Sequence, residues 1–327
     1  MQYDIIVFGS ATQDTFLKLR SPLIIQNDAF PEKRGLAFGL GSKIEVPEIV
    51  LASGGGGTNT AVTFARQGLN TAFIGVVGHD ANGRDILDVL RKEGVDPKYV
   101  LTHDDGMTAY SVVLVNEDGE RTILSYKGEG QHFTTVGIPY DRLQSTWAFV
   151  SSLGGSWEVL ETTTLWARDN KIQLAINPGG KELAHGLEKL KPLLKHFSVV
   201  IMNQEEAADF LGIPYQNEKD IFETMDRLID GIFVLTKGPN GVSVSDGKKV
   251  YTASVPASPV VERTGAGDAF SSGFVCEYAR SGDIAKAIQF GTANASSVVT
   301  EFGAKKGILT KGNWGPWPLV PVKVSSL

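Results

Sequence analysis

The sequence predicts an α/β fold, a largely parallel sheet covered by helices on both faces, and three observations carry that prediction. Short apolar runs rich in Val, Ile and Phe alternate with stretches of helical period along most of the chain. Its 37 glycines repeatedly punctuate those segments, as tight turns between strands and helices require. The length, 327 residues of which 42% are hydrophobic and 21% charged, suits one large α/β domain or two smaller ones and excludes a disordered chain.

From the N-terminus, residues 4–9 form an apolar run closed by glycine, the pattern of a buried parallel strand. Residues 58–68 (TNTAVTFARQG) set Ala61, Phe64 and Ala65 on one helical face before a terminal glycine. A strand at 71–78 and a helix at 83–94, with Ile86, Leu87 and Leu90 inward, continue the alternation. Further strands are predicted at 147–153, 172–177, Val199–Asn203 and Ile232–Thr236, with helices at 157–170, 187–197 and 219–230 between them. Two stretches break the rhythm. Residues 15–53 hold strand-like pieces without a helix, and 110–126 read as a hairpin, SVVLV and RTILSY about a turn at 116–119. Inserted sheet of this kind suggests a small lid; the alternative is an edge extension of the main sheet. The tail after Gly312, rich in Pro and Trp, reads as an irregular strap.

Composition narrows the function. Cys276 is the only cysteine, which rules out an intrachain disulfide, a Cys-based zinc site and an iron–sulfur cluster. A net charge of −6 with dispersed basic residues argues against nucleic acid as the main partner. Apolar runs such as 71–77 and 232–235 are too short to span a bilayer, and MQYDIIVFGS reads as a first strand, not a signal peptide. A cytoplasmic protein without membrane partners is therefore expected. The five histidines lack metal-ligand spacing, and no Gly-x-Ser-x-Gly elbow supports a hydrolase.

The most informative stretch is VVERTGAGDAFSSGF, residues 260–274. Gly265, Ala266 and Gly267 precede a helix, so their N–H groups can converge on an anion at its positive end. A carboxylate inside such a nest, Asp268, would repel phosphate unless it meets a hydroxyl about to attack phosphorus. The plainer role for Asp268 is a helix cap. A second glycine cluster, 53–57, also feeds a helix; Gly54 and Gly55 let a polyhydroxylated ligand approach, and Asn59 offers a donor and an acceptor. It is neither a P-loop nor a dinucleotide fingerprint, and a flexible loop is its plain alternative. Asp14 lies just past the first strand, where it can grip neighbouring hydroxyls. Asn203 and Glu206 follow another strand and could orient hydrated Mg²⁺ and phosphate, or form a capping box. Cys276 reads as a core residue, and Lys305 and Lys306 as solvated surface groups, with a place near an anionic ligand as the alternative.

Together these pieces resemble the ribokinase-like carbohydrate kinases, the PfkB family. GSATQD, GGGGTNTAVTFARQG, INPGG, NQEE, TKGPNG, ERTGAGDAFSSGF and ANASS occur in the family's order over nearly the whole chain. The resemblance implies a single kinase domain, 1–327, with a three-layer ribokinase-like fold and a β lid from the insertions at about 15–53 and 110–126. It implies transfer of the ATP γ-phosphoryl group to a sugar or nucleoside hydroxyl, with Asp268 as base and Gly265–Gly267 as anion hole. Asp14, Gly54, Gly55 and Asn59 match acceptor-binding positions, and Thr236, Gly238 and Asn294 nucleotide-side positions. Asn203 and Glu206 match the family's N-x-x-E, tied to phosphate and Mg²⁺. Homodimerisation through the lid is a further expectation.

This chain also departs from ribokinase itself. Thr12 replaces an Asn, Gly56 replaces a Lys, and 151–155 lacks the carboxylate ribokinase gives its sugar. Glu262-Arg263 stands where many members read Asp-Thr, which bears on the family's monovalent-cation site; Arg263 is expected to replace the cation or reach a phosphate. A sugar kinase is the leading reading. A nucleoside kinase, with Phe30 or Phe38 stacking a base, is second. A catalytically silent sugar or nucleotide sensor and an assembly scaffold are the non-enzymatic alternatives.

Overall fold

Every residue of the strand Tyr3–Phe8 except Asp4 is buried, and its side chains divide between two cores: Ile6 and Phe8 face one, Ile5 and Val7 the other. That period-two division is what a strand covered on both faces requires. The computed structural model describes residues 2–20, 22–28, 30, 33–116 and 121–326. Among them, ten strands make the central sheet in the order Lys323–Ser326, Lys249–Ala253, Val242–Ser245, Ile232–Thr236, Val199–Asn203, Gln173–Ile176, Ser145–Val150, Tyr3–Phe8, Thr71–Ile74 and Val95–Asp96. From Ile232–Thr236 onward all pairings are parallel; the three strands before it pair antiparallel. The last strand belongs to the tail, which therefore does not end as an irregular strap: Lys323–Ser326 hydrogen-bonds alongside Lys249–Ala253.

One core packs the helices Trp157–Asp169, Leu187–Leu194, Gln204–Leu211 and Glu218–Met225 onto the sheet; the other packs Gly56–Arg66, Ala81–Lys92, Ala266–Ser281 and Ile284–Val298. Ile86 and Leu90 are fully buried in the second core, and Leu87 is half-buried. The predicted strand at 71–78 is two strands. It breaks at Gly75, where any side chain would press on the Gly9 carbonyl, and Val76–Gly78 turns away to pair with Leu101–His103.

The insertions form a separate four-stranded sheet in the order Arg121–Tyr126, Ala109–Val115, Thr12–Lys18 and Glu48–Gly54, so they do not extend the main sheet. The predicted turn at 116–119 lies outside the described residues apart from Asn116. A two-stranded ribbon, Leu23–Gln26 with Arg34–Ala37, completes the insertion. Among the described residues no helix is long and apolar enough to cross a membrane.

Candidate active site

The carboxyl end of Tyr3–Phe8 is the origin of the site. Gly9 and Gly57 meet backbone to backbone there, with the space for a Cβ on either filled by the other, so the helix Gly56–Arg66 starts directly on the strand end. The chain then enters Thr12–Lys18, where Asp14 pairs with Ala52 on one side and Ser111 on the other. Asp14 lies against Gly54, where any Cβ would overlap its Oδ2. The residue is 7% exposed, and burial raises its pKa to about 6 against the lowering effects of the Lys305 charge and a Ser111 hydrogen bond.

Asp268 enters from the helix Ala266–Ser281. Gly265, at φ 80°, takes the left-handed conformation of the N-cap, and no side chain caps the helix. Asp268 therefore stands at the third helical position without capping: its Oδ2 accepts from Asn59 Nδ2 at 2.8 Å. Burial raises its pKa, opposed by that hydrogen bond and by the charge of Lys305, and part of the residue remains open to solvent. In the glycine nest, the Ala266 N–H donates to the Arg263 carbonyl at 3.3 Å, whereas a side chain at Gly267 would meet open space. A Cβ at Gly56 would overlap Ser151 Oγ and lie 3.1 Å from Asp268 Oδ1, so Gly56 separates the two and excludes a lysine in the same pose.

Lys305 is not the solvated lysine its sequence context suggests. It is 8% exposed, and its ammonium donates to Ser53 O (2.6 Å), Thr58 Oγ1 (2.8 Å) and Asn59 Oδ1 (2.7 Å). Burial lowers its pKa to about 7, although the charges of Asp14 and Asp268 act to raise it. Its neighbour Lys306 remains outside, paired with Glu301 at 2.6 Å. Sequence reading also missed Glu182, fully buried, which accepts from the N–H groups of Leu153, Gly155 and Gly179 (3.0, 2.6 and 2.9 Å) and so fixes the backbone of 151–155. Three backbone donors on one carboxylate leave it a structural anchor, not a group offered to the cleft.

Asn203 and Thr236 end adjacent parallel strands and face each other in register. Three strand spacings, about 14 Å, separate Val199–Asn203 from Tyr3–Phe8. Asn203 and Glu206 form a reciprocal capping box: Asn203 Oδ1 accepts from Glu206 N (2.8 Å), and Glu206 Oε2 from Asn203 N (2.9 Å). Burial raises the Glu206 pKa, the Asn203 N–H opposing it. Gly238, at φ 54°, is exposed beyond Thr236. Asn294 differs from expectation. It is fully buried, donating to Ala269 O (2.8 Å) and accepting from Leu309 N (2.9 Å), so its amide ties two helices and a loop instead of facing a ligand.

Glu262 is also fully buried. Its Oε1 accepts from Thr264 N and Oγ1 (2.7 and 2.5 Å) and lies 3.6 Å from Arg121 Nε on the small sheet, while Oε2 has no hydrogen-bond partner. Arg121, which sequence reading passed over, thus lies within ion-pair distance of Glu262. A cavity of about 680 Å³ opens at the opposite, amino ends of the strands, lined by Gln173, Ser198 and Ile232; none of the candidate residues reaches it.

Comparison with known proteins agrees with this fold. The family model described as pfkB family carbohydrate kinase matches residues 23–311. A ribokinase of Bacillus subtilis is 28% identical over 313 residues, 94% of this chain and 97% of that protein. The structure of Arabidopsis thaliana ribokinase complexed with ribose and ATP superposes with a TM-score of 0.75 at 22% identity, covering 94% of this chain and 96% of the other. A Burkholderia thailandensis nucleoside kinase in complex with inosine gives 0.75 at 17% identity, covering 95% and 96%.

Proposed function

Because the chain belongs to the pfkB family of carbohydrate kinases, and is thereby a phosphotransferase acting on an alcohol group, we propose that it phosphorylates a hydroxyl of a small sugar or sugar-like molecule with ATP. The observation that carries this reading is Asp268: a half-buried carboxylate at a glycine-built helix start, held by Asn59 and caps nothing. Its raised pKa brings the base closer to working pH. In the proposed reaction the acceptor oxygen bonds to the γ-phosphorus, the bond to the β-phosphate oxygen breaks, and the hydroxyl proton passes to Asp268. Gly265, Ala266 and Gly267 supply the anion hole; the Ala266 N–H also donates to the Arg263 carbonyl, and Gly267 is exposed with open space beside its Cα.

Asp14, Gly54, Gly55 and Asn59 take the acceptor; Asn203, Thr236 and Gly238 take the nucleotide, while Asn294 serves that side by fixing its helices. Among the described residues no group of three or more His, Cys, Asp or Glu side chains could hold a metal ion. Mg²⁺ commonly binds one carboxylate plus phosphate oxygens and water, a mode the single Glu206 fits. Bound there, it would neutralise phosphate charge. At Glu262 the Arg121 guanidinium supplies positive charge where a monovalent cation would sit, so equal rates are expected in K⁺ and Na⁺ buffers; a steep K⁺ requirement would overturn that assignment.

The nucleoside reading keeps support on the insertion: Phe38 is 44% exposed, and Phe30, although one side of its ring packs on Gly35, is 38% exposed. The whole chain acts as one cytoplasmic kinase domain with the small sheet as lid. A second copy of this chain is the partner proposed for the outer lid face, where Leu51, Val112 and Leu124 lie in one cross-strand row around Thr15. An ADP-release screen over pentoses, hexoses, keto-acid sugars and nucleosides identifies the acceptor. Asp268→Asn is expected to keep its fold by circular dichroism and lose turnover about 1,000-fold or more. Wild-type turnover in that variant would sink the proposal.

A further inference from the structure

We propose that Lys305 is a positioning residue of the phosphoryl-transfer site: its ammonium fixes which way the Asn59 amide points and sets the charge balance between Asp14 and Asp268. The inference rests on the reading of Asp268 as base and deepens it.

An ammonium can only donate. With Lys305 Nζ at 2.7 Å, Asn59 must turn Oδ1 toward it, which leaves the Nδ2 donor facing Asp268 at 2.8 Å. The ammonium also donates to Ser53 O and Thr58 Oγ1, and the Thr58 hydroxyl in turn donates to Gly54 O at 2.6 Å. One cation thus ties down the glycine cluster that flanks both carboxylates. The loop carrying it is held from behind: Arg66 donates to the carbonyls of Lys305 and Ile308 (2.8 and 2.9 Å) and pairs with Glu93 at 2.7 Å. The charged groups facing Lys305 are accordingly Asp14, Asp268 and Glu93, which favour its charge, and Arg66, which opposes it. Burying a lysine is costly unless it is fully paired. Here all three protons are placed, and the positive charge favours ionised Asp268.

The test uses the full-length protein. Lys305→Met is expected to lower kcat about 100-fold, to leave the nucleotide KM unchanged, and to move the acid limb of the kcat profile upward by about one pH unit as Asp268 loses its cation. Lys305→Gln retains an amide donor without charge, so it should shift the limb equally with a smaller loss of kcat; it also serves if the Met variant does not fold. Lys306→Met should behave as wild type. The decisive measurement is independent of turnover: the Asp268 carboxyl titration followed by ¹³C NMR, whose midpoint should rise in both Lys305 variants. An unmoved midpoint, or kcat loss without a displaced limb, would reduce Lys305 to a structural role. If wild-type protein phosphorylates nothing, the kinase reading fails while the titration still decides this one.

Discussion

Asp14 and Asp268 are carboxylates that the fold holds against their own ionisation, since burial raises both pKa values. For Asp14 the folded value of about 6 stands above the unfolded one near 3.9, so the protonated acid favours folding. That contribution is present below pH 4 and is lost as pH rises through 6. Asp14→Asn should therefore stabilise the protein at pH 7.5 by about 2 kcal/mol, with little gain at pH 4, while weakening acceptor binding. Thermal melts at the two pH values check the first claim and acceptor KM the second. Asp14 stood out in the sequence because it follows the end of the first strand, and Asn59 and Asp268 because each lies beside a glycine cluster at a helix start. Lys305 was not. Nothing local separates it from Lys306, and only the fold, which brings residues 53–59 to the loop at 305, distinguishes the buried cation from the surface one.

At the scale of elements, close backbone contact decides most of the site. Gly265 combines φ 80° with a Cβ position that overlaps Ala304. Gly265→Ala should cost roughly 2 kcal/mol or more from the left-handed backbone and the overlap together, read as a lowered melting temperature together with lost turnover. Gly54→Ala presses on Asp14 rather than on the backbone, so its expected signature is a raised acceptor KM with a smaller loss of stability. The strand–helix alternation was readable from apolar period. The break at Gly75 and the strand at Lys323–Ser326 were not, because both are set by partners far along the chain: Gly9 and Lys249–Ala253. The Asn203–Glu206 pair shows a different limit. A capping box and a metal-side pair require the same residues at the same spacing, and the cap is what the geometry contains.

Across the whole molecule, the outer face of the small sheet carries Ile49, Leu51, Leu124 and Tyr126, all more than half exposed. Exposed apolar area of this kind on a sheet with an open edge invites association. Joint substitution of Leu51 and Leu124 by Lys should convert a dimer to monomer in sedimentation without unfolding it; a wild-type monomer at micromolar concentration would refute the proposed partner. This face was only partly legible, since the insertions announced themselves as β structure but not which side of each strand would face out.

Asn59 and Lys305, which touch through one hydrogen bond, are 246 positions apart, and Asn59 and Asp268 are 209 apart. During synthesis the first glycine cluster emerges long before either partner exists. Closing contacts of such separation is entropically costly and slow. A growing chain therefore cannot assemble this centre until residue 305 has been made, however early its first glycine cluster folds.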